Sequence, residues 1–269
     1  MSDNRPIGIF DSGIGGLTVA NAVLSRLPSE RIIYFGDTAH LPYGDKSAQA
    51  IRNYATRITE FLLEKDCKAI VIACNSASSA AYLHLVRQFG EKIPVANVID
   101  PVVEHVATRR DLNTIGVIGT KATTKAGAYP RKLKKLAPDL EVRSQATPLL
   151  AQMVEEGFFN NNISRAVING YLSKSRFEGI EGLILACTHY PLIRDDIDAL
   201  YASRVEIFDT MGIVADSVTE LLRRRDLLAS EASDLDHEFY VSDYTESFEE
   251  TTRIFWGRPV QLKQADIWD

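Results

Sequence analysis

Two short stretches hold the side chains best able to do chemistry. Residues 69–76 read A-I-V-I-A-C-N-S and residues 182–189 read G-L-I-L-A-C-T-H. Each places a cysteine, Cys74 or Cys187, between an alanine and a small polar residue, Asn75 or Thr188. A free thiol has a pKa near 8.5, so about a few per cent is thiolate at neutral pH, and a helix N-terminus lowers that value. One such cysteine suggests a nucleophile; two in matched settings suggest a base and an acid. With a substrate carbon between them, one thiolate removes a proton while the other thiol delivers one to the opposite face. The roles exchange in the reverse direction. That chemistry inverts a stereocentre and calls for no metal and no organic cofactor. Cys67 lacks the matched setting and reads as structural.

Neutral hydrogen-bond donors accompany the cysteines. D-S-G-I-G-G at 11–16 is not a dinucleotide G-x-G-x-x-G, since Thr18 stands where the last glycine belongs, and it lacks the lysine and spacing of a P-loop. A glycine-rich strand-to-helix turn still offers backbone N–H groups to a carboxylate. Ser12, Asn75, Ser76 and Thr188 add uncharged donors. These favour proton loss α to a carboxylate by stabilising the negative charge that develops there. Asp11 and His189 are ionisable and close to these motifs, suited to assisting one thiol each. Each also has a plainer reading, Asp11 as a helix N-cap and His189 as a core histidine. Tyr43, in P-Y-G, reads equally as a turn aromatic. His40, His84, His105 and His237 receive no role.

The elements that must position these residues follow from periodicity. Each cysteine run is short, apolar and bounded by turn residues, as a strand buried on both faces of a parallel sheet should be. Helical spacing follows Asn75, and Pro191 sits where a helix after Thr188 should begin. Both cysteines are thus expected at strand carboxyl ends beside helix N-termini, where open α/β sheets hold their ligands. Further strands are predicted at 7–10, 32–35 and 95–99, with helices from Leu17 and over about 47–65. This is β-α-β alternation throughout.

The pattern then repeats. Gly8–Ser12 is matched by Gly116–Thr120, an offset of 116 − 8 = 108. The cysteine strands are offset by 187 − 74 = 113, and Asn97–Asp100 matches Glu206–Asp209 at 206 − 97 = 109. Three matches in one order predict two similar parallel-sheet α/β domains related by a pseudo-two-fold axis, with the site in the cleft between them. The expected domains are 1–98 plus 207–269, carrying Cys74, and 99–206, carrying Cys187. After about 213 the tail reads as an amphipathic helix, a polar stretch at 229–236, and strand, helix and strand candidates. The K-L-K-K run at 132–135 and Arg223 to Arg225 read as solvated helix faces.

Bulk numbers fit this picture. The 269 residues are 45% hydrophobic and 25% charged, enough to bury a substantial core. A net charge of −6 gives no reason to expect nucleic-acid binding. No run approaches the roughly 18 apolar residues of a membrane span, and the start has no signal-peptide stretch. Three cysteines without C-x-x-C spacing argue against a disulfide framework or structural zinc. A cytoplasmic enzyme with free thiols is expected.

With these motifs collected, the chain resembles the glutamate racemase family, the cofactor-independent enzymes that supply D-glutamate for peptidoglycan. The resemblance runs over D-S-G-I-G-G at 11–16, G-D-T-A-H-L-P-Y-G at 36–44, A-C-N-S-A-S at 73–78, V-E-E-G at 154–157 and A-C-T-H-Y-P at 186–191. It implies that Cys74 is the acid/base for D-glutamate and Cys187 that for L-glutamate. Asp11 and His189 would assist, with Asp37 and Glu155 as further acidic residues near the site. Substrate contacts would come from Asp11, Ser12, Tyr43, Gly44, Asn75, Ser76, Thr188 and His189, with Thr120 lining the pocket. Ser76 stands where Thr is common and Ala186 where Gly is frequent. The start, almost directly at the first strand, argues against the N-terminal extension of members activated by a peptidoglycan precursor. The resemblance implies glutamate as substrate, a homodimer, no membrane partner, and admits the DNA gyrase binding known for some members. An aspartate racemase is the near rival, since pocket size is not readable from the chain.

Overall fold

The computed structural model describes residues 3–230 and 236–268; of the predicted polar stretch at 229–236, positions 231–235 lie outside the described residues. Among the described residues are ten strands: β1 (Ile7–Asp11), β2 (Ile32–Gly36), β3 (Ala69–Ile72), β4 (Val95–Asn97), β5 (Thr114–Gly119), β6 (Glu141–Ala146), β7 (Gly182–Ala186), β8 (Glu206–Ile207), β9 (Glu238–Val241) and β10 (Leu262–Gln264). They form two sheets, ordered β10-β9-β2-β1-β3-β4 and β6-β5-β7-β8. Every pairing is parallel. Helices fill the connections, so the chain is α/β.

The repeat seen in the sequence reappears as topology. Four strands of the first sheet run β2-β1-β3-β4, and the second sheet runs β6-β5-β7-β8 in the same order. The strands related by the offsets, β1 with β5, β3 with β7 and β4 with β8, occupy equivalent places. The first sheet is longer because the chain returns at its end to add β9 and β10 beside β2. Central strands β1, β2, β3 and β7 are buried along their whole length, as continuous apolar runs covered by helices on both faces must be. β6 escapes sequence detection because it is an edge strand. E-V-R-S-Q-A is polar and mostly half-exposed, so no apolar run marks it.

Register decides what the strand ends bring together. β1 and β2 run in step to the pair Asp11–Gly36, and the backbone N–H groups of Asp37 and Ala73 donate to β1 carbonyls at 3.0 and 2.8 Å. Ser12, Asp37 and Cys74 therefore leave three adjacent strands at one level. In the second sheet Gly119 is level with both Ala146 and Ala186, so Thr120, Thr147 and Cys187 leave together. The helices Leu17–Arg26 and Thr210–Arg224 pack on each other, and the latter also meets Asp100–Ala107 between the sheets.

One local expectation fails. Cys74 is followed directly by the helix Asn75–Phe89, but no α-helix begins at Pro191. Pro191 lies inside a tight three-residue-per-turn segment, Tyr190–Ile193, and the α-helix starts only at Arg194. The N–H groups of Tyr190 and Leu192 bond back three residues, to the carbonyls of Cys187 and His189 at 3.2 Å each. The turn is closed by its own backbone, so the helix N-terminus is displaced from the cysteine.

Candidate active site

The two sets of strand ends face one cleft of about 670 Å³, including its open mouth. Both cysteines line it, as do the other predicted site residues except Asp11 and Asp37. Those two are wholly buried beneath its surface.

Cys74 occupies the N-cap of the helix Asn75–Phe89. Its Sγ accepts the Ala77 N–H at 3.4 Å and donates to Ser12 Oγ at 3.6 Å. Burial, then the charge of nearby Asp11, pushes its pKa up to about 12, against the helix N–H that favours the thiolate. At neutral pH Cys74 is a thiol.

The glycine-rich turn does something other than expected. Its Gly13 and Gly16 N–H groups donate to Asp11 Oδ2 at 3.3 and 3.0 Å, so the turn is organised around its own carboxylate. The plainer reading of Asp11 as the helix N-cap fails: it ends β1, and the N-cap of the helix Leu17–Arg26 is Gly16, because the glycine-rich turn separates the strand end from the helix by one turn. Burial raises its pKa, opposed by the His189 charge and by these backbone donors. Its other oxygen, Oδ1, is buried and has no hydrogen-bond partner among the described residues. Gly15 brings this turn against the other wall: a Cβ there would come within 2.4 Å of His189 Cε1. Thr18 adds a hydrogen bond from its hydroxyl to the Thr188 carbonyl at 3.1 Å.

Across the cleft, His189 Nδ1 lies 3.5 Å from Cys187 Sγ and 3.3 Å from Thr188 Oγ1, and Nε2 meets Glu155 Oε1 at 2.8 Å. Burial alone pulls the imidazole pKa down, but the Cys187 sulfur and the Glu155 carboxylate together raise it well above its ordinary value. His189 is therefore held as the imidazolium. Glu155 ends the helix Pro148–Glu155, whose cleft-facing residues Pro148, Ala151, Gln152 and Glu155 follow helical spacing.

Polar pairs join the walls. Ser76 Oγ lies 2.8 Å from Thr120 Oγ1, and Tyr129 donates its hydroxyl to Asn75 Oδ1 at 2.8 Å. The second bond leaves the Asn75 amide NH2 as the donor end. At the mouth, Lys121 pairs with Asp45 at 3.0 Å. Gly44 fits because a Cβ there would already meet Thr120 at 3.0 Å. Asp37 is not brought into the cleft. It lies behind Tyr43, whose hydroxyl donates to its Oδ2 at 2.5 Å.

Sequence reasoning passed over Thr147, Gln152 and Tyr190, which also line the site. Thr147 and Tyr190 join hydroxyls at 2.7 Å. Tyr190 stands inside A-C-T-H-Y-P, and Thr147 follows β6 directly, just before a helix-starting proline; the polar edge strand hid the latter. Of the K-L-K-K lysines, Lys134 and Lys135 are exposed as expected, Lys134 also donating to the Pro138 carbonyl at 2.5 Å, whereas Lys132 is half-buried and pairs with Asp100 at 2.5 Å.

Two parallel α/β sheets that present a cysteine each to one cleft define an α/β fold with its site between two sheets. The sequence signature of the Asp/Glu/hydantoin racemase family matches residues 18–218, and the chain belongs to that family. It is 41% identical over 257 residues to a glutamate racemase of Neisseria meningitidis serogroup A, covering 96% of this chain and 94% of that one. A glutamate racemase of Chlorobaculum tepidum is 42% identical over the same shares. The crystal structure of a glutamate racemase from Francisella tularensis in complex with D-glutamate superposes with a TM-score of 0.91 at 39% identity, over 99% of each chain. An aspartate racemase homologue from Pyrococcus horikoshii shares the fold at a TM-score of 0.55 and 21% identity. Among the described residues no helix is long and apolar enough to cross a membrane.

Proposed function

We propose that this chain is a glutamate racemase that interconverts L- and D-glutamate by two-thiol proton transfer and supplies D-glutamate for peptidoglycan. One observation carries the reading: Cys74 and Cys187 line the same cleft, each beside a different ionisable partner. The names and substrate complex of the relatives above support glutamate over aspartate.

In the L-to-D direction Cys187, as thiolate against the His189 imidazolium, takes the α-proton. Cys74, already a thiol, delivers a proton to the opposite face. Cys187 ends as the thiol and Cys74 as the thiolate, and the reverse reaction runs from that state. Ser12, Asn75, Ser76 and Thr188 donate to the substrate carboxylates, and the neutral surroundings hold the charge that develops at the α-carbon. Asp11 assists Cys74, while Glu155 holds His189 in place and charged. Asp37 braces Tyr43 from behind. The proposal extends to a cytoplasmic homodimer whose domains are 1–98 plus 207–269 and 99–206.

The test is incubation of purified protein with each enantiomer of glutamate and of aspartate in heavy water. Loss of optical rotation for glutamate alone, with deuterium at the α-position of the product, is the expected result. Rotation lost with aspartate and kept with glutamate moves the reading to the rival.

A further inference from the structure

His40 and Trp268 take no part in the reaction just proposed, yet they stand behind the wall that Tyr43 and Gly44 present to the cleft. Asp37 is the link. Its oxygens accept from Tyr43 Oη at 2.5 Å and from Ser242 Oγ at 2.7 Å, and His40 Nδ1 lies 2.9 and 3.1 Å from the two of them. The His40 ring stacks on Tyr54 with centroids 4.1 Å apart. Trp268 closes the group edge-on, 4.5 Å from His40 and 5.6 Å from Tyr54. Tyr54 in turn tilts against Tyr43 at 5.6 Å. The segment bearing Trp268 is tied down: Ala265 N–H donates to the Val241 carbonyl at 2.9 Å, and Arg57 to the Ile267 carbonyl at 2.9 Å.

An ordinary core aromatic can shift and let soft packing absorb the change. Here the rings end on directional bonds. Displacing His40 disturbs a buried carboxylate, and that carboxylate fixes the Tyr43 hydroxyl. Tyr43 and its neighbour Gly44 then lose their place on the cleft wall.

We propose that His40 and Trp268 are positioning residues that hold the Tyr43–Gly44 wall through Asp37, setting affinity for the amino acid and leaving proton transfer to the cysteines. This rests on the glutamate racemase reading of the cleft. An interaction made equally with substrate and transition state acts on KM and spares kcat. Aromatic pairs of this kind correspond to about three- to tenfold in an equilibrium constant.

Steady-state kinetics with both glutamate enantiomers test it. Trp268→Ala should raise KM about three- to tenfold with kcat within about twofold of the parent, and Trp268→Phe should restore KM. In a Tyr43→Phe background, Trp268→Ala should add little, because the path to the wall is already cut. His40→Asn, which keeps a donor toward Asp37 but loses the stacked ring, carries the same test should Trp268→Ala not fold. An unchanged KM, or effects of Trp268→Ala and Tyr43→Phe that multiply independently, overturns the inference while parent racemisation stands. A parent protein inert toward glutamate overturns the functional reading, and this inference with it.

Discussion

The two walls of the cleft are built from equivalent strand ends, yet they differ in electrostatics. On the Cys74 wall the thiol caps an α-helix, and the ionisable neighbour is a buried carboxylate. On the Cys187 wall the helix start is displaced, and the neighbour is an imidazolium backed by Glu155. Helix dipole and local charge are thus traded. The helix N-terminus favours a thiolate at Cys74, but burial and Asp11 outweigh it and leave the thiol. On the two-thiol mechanism proposed above, which begins each turnover with one base and one acid, the site gains from such inequality. Two identical thiols would both rest in the same protonation state, and half the work of the reaction would be setting them apart.

The largest effect expected from breaking the comparison is the loss of either thiol. Cys74→Ser and Cys187→Ser should each lower racemisation by about a thousandfold or more, since removing one proton-transfer group removes the inversion itself. The variants should nonetheless differ. Cys74→Ser keeps the Cys187–His189 wall and should still exchange the α-proton of L-glutamate with heavy water, while Cys187→Ser should exchange D-glutamate only. Proton NMR of each enantiomer in heavy water reads this directly. Equal exchange of both enantiomers by one variant would break the assignment of walls.

A smaller effect separates the walls by pH. The folded pKa of His189 is raised above its unfolded value. Its contribution to stability is then fully present below the ordinary value of about 6.5 and is lost as pH rises through the raised folded value. His189→Asn should therefore lower the melting temperature most under mildly acidic conditions, with the gap to the parent narrowing as pH rises. A gap constant across the range, or one that widens with pH, contradicts a charged His189. Activity should also fall, by about a hundredfold, the usual scale for one assisting acid–base group.

Much of this arrangement was legible from residue order, and the parts that were not have physical causes. Apolar runs ending in Ala-Cys announced two buried strands, and three ordered offsets announced the repeated strand order. Local pattern said nothing about what the D-S-G-I-G-G amides bind, because that depends on where the Asp11 carboxylate turns after the strand ends. Nor could it separate Asp37 from the cleft residues. Asp37 stands one position past the end of β2, and only the packing of Tyr43 over it keeps it off the cleft surface. The edge strand β6 and Thr147 stayed hidden because a half-solvated strand needs no apolar run. Pro191 misled for a related reason: proline suits the first turn of a tight helical segment as well as that of an α-helix.

The finest test of the comparison lies in the influence of Asp11 on Cys74. Burial is the larger cause of the raised thiol pKa and the Asp11 charge the second. Asp11→Asn removes the charge and keeps an oxygen able to accept from Gly13 and Gly16, so the turn should hold its shape. The Cys74 pKa should then drop from about 12, while burial still keeps it above that of a free thiol. Alkylation by iodoacetamide, followed by mass spectrometry of the cysteine peptides at mildly alkaline pH, should show faster labelling of Cys74 in the variant. Cys67, buried with its pKa also pushed up to about 12 but outside the cleft, is the internal reference and should label equally slowly in both proteins. Faster labelling of Cys67 as well would mean that the substitution loosened the fold. Slower or unchanged labelling of Cys74 would mean that its thiol is held by burial alone, and the two walls would then differ only on the His189 side.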